Sequence, residues 1–153
     1  MAMVRRVTAE EAEALMRKEN YVYVDVRSVP EFEQGHPKGA YNVPLMHMGS
    51  GGMEPNGDFV PVMEARFPKD AKLMLGCRSG GRSLRAAELL ASHGYTSVID
   101  QRAGWDGARD PFGRVVDAGW SQLKLPTSTD AEPGRSWVEL AAKSGSAASR
   151  STP

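Results

Sequence analysis

Apolar residues first recur at helical spacing at Ala12, Leu15 and Met16, and Thr8-Ala-Glu-Glu11 ahead of them has capping-box spacing. A helix is therefore predicted from Thr8 to about Arg17. The pattern then changes. Tyr21-Val-Tyr-Val-Asp-Val26 is β-branched and aromatic without polar alternation, as in a strand buried on both faces. Ser28, with Glu31 three residues on, predicts a short helical turn. Gln34 to Gly39 is a turn cluster, and Ala40 to Val43 a short strand stopped by Pro44. Residues 45–57 carry three Met and four Gly and are expected to form a flexible loop. Asp58 is placed to cap a helix over about 59–67, and Lys72-Leu-Met-Leu75 reads as the next strand. After residues 76–83 comes a helix whose apolar face is Leu84, Ala87, Leu90 and Ala91, with Gly94 where a left-handed C-cap is expected. Ser97-Val-Ile-Asp100 is the last strand.

Helix and strand alternate four times, which predicts an α/β fold with a mainly parallel central sheet flanked by helices on both faces. One domain over residues 5–125 accounts for the pattern. Pro126 to Gly134 reads as a linker. Ser136-Trp-Val-Glu139 has capping-box spacing and opens a short helix to Lys143, docked by Trp137. Residues 144–153 hold four Ser and no large apolar side chain and are expected to be a disordered tail.

Composition narrows the function. Nineteen Lys+Arg balance nineteen Asp+Glu among 153 residues, so no whole-protein field draws in nucleic acid or an anionic membrane. No apolar run approaches a membrane span, and the N-terminus has no apolar segment of a secretory signal. The single cysteine excludes an intrachain disulfide and a multi-cysteine zinc site. His36, His47 and His93 lack metal-ligand spacing, so neither metal nor cofactor is expected. A cytoplasmic location fits this composition.

The candidate chemistry lies in Cys77-Arg-Ser-Gly-Gly-Arg-Ser83, between a buried strand and a helix. A strand-to-helix turn aims backbone N–H groups at one point, Gly80 and Gly81 allow the backbone to close in, and the helix dipole adds positive charge. Cys77 then reads as a thiolate nucleophile at the base of an anion cradle formed by Arg78, Ser79, Gly80, Gly81, Arg82 and Ser83. The plain alternative is a buried small hydrophobe. Protein-tyrosine-type phosphatases place five residues between cysteine and arginine. Here four separate Cys77 from Arg82, which suits one sulfur atom on the thiol better than a phosphoryl group.

The chain resembles a single-domain rhodanese, a thiosulfate sulfurtransferase, over about residues 5–125. The resemblance rests on Asp25-Val-Arg27, Glu31-Phe32, Gly35-His36 with Gly39-Ala-Tyr-Asn-Val-Pro44, the Cys77–Ser83 loop, and Gly104-Trp105. Ala103 departs from a pattern in which two glycines often precede the tryptophan. The resemblance implies ping-pong transfer of a sulfane sulfur from thiosulfate or a similar donor, through a Cys77 persulfide, to cyanide or a thiol acceptor. Its partners are then a small sulfur-containing anion and a thiol or protein acceptor. Arg82 and Arg78 would bind the sulfonate, and Ser83 would either bond the sulfur or cap the helix. A persulfide carrier or redox-sensing module with little thiosulfate turnover is the alternative.

Asp25, Arg27 and Glu31 are read chiefly as structural support, with Arg27 paired to Glu31. Met46, Met48 and Met53 form either a soft wall over the site or a surface without a role. Trp105, Trp120 and Trp137 are expected as core and docking anchors. Arg85, Arg102 and Arg109 extend the arginine cluster, either as a steering field or as a solvated face.

Overall fold

The computed structural model describes residues 4–145. Five strands form its central sheet: β1 (Arg5–Val7), β2 (Val22–Asp25), β3 (Tyr41–Asn42), β4 (Leu73–Gly76) and β5 (Val98–Gln101). Their order is β1-β5-β4-β2-β3 and every pairing is parallel. Between them run α1 (Ala9–Glu19), α2 (Val29–Gln34), α3 (Phe59–Arg66) and α4 (Gly81–Ser92), and α5 (Trp137–Ser144) follows the sheet.

The apolar runs of β2 and β4 are explained by burial on both sides. Val24, Val26, Leu73, Leu75 and Cys77 point to the face covered by α3, α4 and α5, with Phe59, Met63, Leu90, Trp137 and Leu140 packed there. Tyr23, Met74 and Ile99 point to the other face, where Ala9 and Ala12 of α1, Phe32 of α2 and Trp120 close the core. This is the helix-flanked parallel sheet that the sequence pattern implies.

The signals at Thr8, Ser136 and Gly94 act as read, whereas Asp58 starts its helix without a side-chain cap bond. Thr8 accepts from the Glu11 amide at 3.1 Å while Glu11 accepts from the Thr8 amide at 2.8 Å. Ser136 accepts from the Glu139 amide. Gly94 takes φ +94° just past α4. Three segments differ from expectation. Arg5–Val7, ahead of the first predicted element, forms the edge strand β1 beside β5. Residues 45–57 are not a structureless loop: Met46–Gly49 and Gly52–Pro55 pair as an antiparallel hairpin, closed by Ser50-Gly51. The glycines that suggested flexibility supply its turn, and Met48 faces Met53 across it. The stretch 126–134 is strapped down. Thr127–Ser128 pairs with His36–Pro37, and Pro126 O accepts from Lys38 N and from the Trp120 indole. Ser144 and Gly145 finish α5, and the rest of the expected disordered tail lies outside the described residues.

Strands β2 and β4 are neighbours, yet the chain leaves β2 toward β3 at one edge and leaves β4 toward β5 on the other side. Connections that diverge from adjacent strand ends open a crevice there. Asp25 ends β2 and Arg27 lies in the turn after it, while the turn after β4 carries Cys77.

Candidate active site

Gly76 ends β4 with Asp25 as its register partner. Cys77 follows, 2% exposed, with its side chain on the core face beneath the N-terminus of α4. The Gly80 amide donates to Cys77 Sγ at 3.1 Å. Gly80 is also the N-cap of α4 and brings no side chain to the first-turn N–H groups, which have no intrahelical acceptors. A sulfur anion at this position therefore meets one directed amide and the positive end of a three-turn helix.

The loop keeps this shape because other backbone holds it. Trp105 N donates to Cys77 O at 2.8 Å and Asp106 N to Arg78 O at 2.9 Å, so the two carbonyls are turned away from the cradle. Gly104 makes the approach feasible: a Cβ there would lie 2.4 Å from Cys77 O. Gln101 fixes the turn, its carbonyl oxygen accepting from Ala103 N and Gly104 N and its amide donating to Gly104 O. Ala103 is fully buried at the position where a second glycine was noted as common.

The two loop glycines are not equivalent. Gly80 sits at φ +103°, and a Cβ would meet Arg102 O at 2.4 Å; a Cβ on Gly81 would meet nothing within 4 Å. Only Gly80 uses the backbone freedom that the sequence predicts for both.

The charged residues are arranged differently from the sequence reading. Arg27 pairs with Asp25, not with Glu31. Its Nη2 reaches Asp25 Oδ2 at 2.7 Å and Gly35 O at 2.6 Å, and its guanidinium lies 5.1 Å from the Trp105 ring. Asp25 and Arg27 are both buried. Removing one partner of a buried pair strands the other, so Arg27→Met is expected to lower unfolding free energy by about 3–5 kcal/mol in urea titrations.

Glu31 instead takes Arg82 in a two-bond pair, at 2.7 and 3.0 Å. Arg78 is bound to Asp106 at 2.6 Å. Both arginines offered as anion binders are thus engaged by carboxylates. Ser83 neither bonds the sulfur nor caps the helix; its hydroxyl donates to buried Asp100 at 2.5 Å, and Arg6 reaches the other Asp100 oxygen at 2.7 Å. Ser79 is exposed. Of the outer arginines, Arg102 bonds Asp117 and Arg109 bonds the backbone oxygen of Gly113. His36 is buried against Phe32 O and Asp130 O.

Burial pushes the Glu31 carboxyl up, but the Arg82 and Ser28 hydrogen bonds and the Arg82 charge outweigh it and bring the carboxyl from 4.5 to about 2. A depressed carboxylate stabilises the fold fully above its unfolded value, and that contribution is lost as pH falls through the folded one. Glu31→Gln is accordingly expected to flatten the fall of Tm between pH 4.5 and about 2.

Two clefts flank the loop. One of about 260 Å³ is lined by Arg27, Glu31, Gln34, Arg78, Trp105 and Asp106. The other, about 320 Å³, is lined by Glu31, Met48, Met53, Arg78 and Arg82. Sequence reasoning missed Asp100, Gln101 and Asp106. Asp100 and Gln101 end a recognised strand and Asp106 follows the Gly104-Trp105 motif, but no local spacing ties them to the cysteine loop.

Residues 8–110 match the Rhodanese-like domain family. The chain belongs to the rhodanese-like domain family. Thiosulfate sulfurtransferase 16, chloroplastic, of Arabidopsis thaliana is 38% identical over 69% of this chain and 78% of its own length. Senescence-associated protein DIN1 of Raphanus sativus is 39% identical over 65% of this chain, which spans 52% of that protein. Among solved structures, Rv0390 from M. tuberculosis superposes with a TM-score of 0.68 at 28% identity, covering 84% of this chain and all of that one. The rhodanese-like domain of Alr3790 from Anabaena sp. shares the fold, with a TM-score of 0.60 at 18% identity over 82% of this chain and 80% of that one. The rhodanese-like match ends at 110, yet Trp120 and Trp137 beyond it are core residues on opposite faces of the sheet.

Proposed function

We propose that this rhodanese-like protein is a sulfurtransferase working through a Cys77 persulfide. The Cys77 thiolate attacks the outer sulfur of thiosulfate or a similar sulfane donor. The donor S–S bond breaks, its electron pair leaves with sulfite, and a persulfide anion remains on Cys77. Cyanide, or a thiol or protein acceptor, then takes the outer sulfur and the thiolate is restored. The observation that carries the reading is the Gly80 amide on Cys77 Sγ, at the mouth of a loop that opens straight into α4. Amides aimed at sulfur stabilise the charge that the terminal persulfide sulfur must hold. Ser79, Gly80, Gly81 and the backbone of Arg82 and Ser83 are proposed as the lining of that anion site. The first relative in the comparison is named a thiosulfate sulfurtransferase, which agrees with this chemistry.

A cytoplasmic setting is part of the proposal, because a lone nucleophilic thiol needs a reducing compartment. Among the described residues no helix is long and apolar enough to cross a membrane. The test is a single turnover: protein is mixed with thiosulfate, excess donor is removed, and the intact mass is measured. A gain of one sulfur atom that cyanide then removes is expected. A mass that never changes with any sulfane donor would sink the reading.

A further inference from the structure

Charges around the loop cancel in pairs. Asp25 holds Arg27, Glu31 holds Arg82 and Asp106 holds Arg78, each within hydrogen-bond distance. A site built to draw in a free dianion would leave arginines unpaired toward it. Here three guanidinium groups meet three carboxylates. Glu31 occupies the strategic position, since it lines both clefts that flank the loop and engages the arginine nearest the α4 N-terminus. The larger cleft has an apolar wall as well. Met48 and Met53 are 58% and 38% exposed there, held opposite each other by the hairpin register. Exposed thioethers beside a charge-balanced mouth suit a ligand with an organic body.

Resting on the persulfide reading above, we propose that Glu31 sets donor specificity: it disfavours dianionic donors and, with the Met48–Met53 wall, selects a singly charged sulfane donor that carries an apolar group. Aryl thiosulfonates and alkyl persulfides belong to this class. With a thiosulfonate the step balances as before. Cys77 sulfur bonds to the outer donor sulfur, the S–S bond breaks, and the sulfinate leaves with the electron pair.

Steady-state kinetics with thiosulfate and with benzenethiosulfonate, cyanide as acceptor, separate the outcomes. Glutamine keeps the acceptor that caps α2 at this position, so Glu31→Gln retains the local fold while removing the charge. It is expected to lower the thiosulfate KM by roughly five- to tenfold, with a smaller change for benzenethiosulfonate and in kcat for either donor. Met48→Gln combined with Met53→Gln is expected to raise KM for benzenethiosulfonate more than for thiosulfate. A third measurement needs no variant: the wild-type thiosulfate KM should depend only weakly on salt, because a neutral mouth has little field to screen.

An unchanged or higher thiosulfate KM in Glu31→Gln, equal shifts for both donors, or a steep salt dependence in the wild type would overturn the inference while leaving the persulfide route intact. If the wild type takes up sulfur from no sulfane donor, an alkyl persulfide included, the persulfide route fails and this inference fails with it.

Discussion

Cys77→Ser is expected to take up no sulfur from any donor and to lose more than about 10³-fold in transfer rate, with its fold retained. A serine hydroxyl stays protonated at neutral pH and forms no persulfide. The fold is spared because the exchange is nearly isosteric and the Gly80 amide, 3.1 Å from the sulfur, keeps an oxygen to donate to. The stability change is expected within about 1 kcal/mol. Intact mass after thiosulfate, cyanide-dependent turnover and a urea titration decide the matter together. A loaded serine variant would remove Cys77 from the chemistry. A variant that is inactive because it is unfolded would make the cysteine a core residue first.

The second large effect is expected from exchanging one loop glycine and not its neighbour. Gly80→Ala forces a Cβ into φ +103° and to 2.4 Å of Arg102 O, which is backbone and cannot swing aside. Strain at such an angle costs about 1–3 kcal/mol, and the clash adds to it, so a loss of about 2–4 kcal/mol is expected. The loop must shift to relieve the contact, and the shift carries away the amide that faces Cys77. A misplacement of about 1 Å at reacting groups costs on the order of 10²-fold in rate. Gly81→Ala adds its Cβ to open space at the start of α4 and should be neutral or slightly stabilising, by up to about 1 kcal/mol. Both values follow from denaturant titration and cyanide-dependent kinetics. Equal losses at the two positions would mean that the loop is held by something other than this close approach.

The contrast between these glycines marks where sequence reading succeeds and where it stops. Four of the five sheet strands, the flanking helices and the cysteine loop were legible because each is a local signal: a doubly buried run at 22–26, capping boxes at Thr8 and Ser136, a cysteine between strand and helix; the three-residue edge strand Arg5–Val7 is too short to carry one. Side-chain partners were not. Glu31 and Arg82 are 51 residues apart and meet only because β2 and β4 are neighbours. Ser83 faces Asp100 for the same kind of reason, a helix start lying over the next strand. Nothing in Cys77–Ser83 alone distinguishes an arginine aimed at substrate from one already bound by a carboxylate. The hairpin at 46–55 was hidden by its glycines, which read equally as slack or as a turn.

The Trp137 ring lies 5.3 Å from the ring of His47, one residue before Met48 in the hairpin. The C-terminal helix is therefore a buttress for the wall of the larger cleft, although it lies outside the residues shared with the family. Trimming the chain to its family match would remove a keystone from the donor side of the molecule. Two proteins with the same cysteine loop can thus differ in what they accept through changes sixty residues away from it.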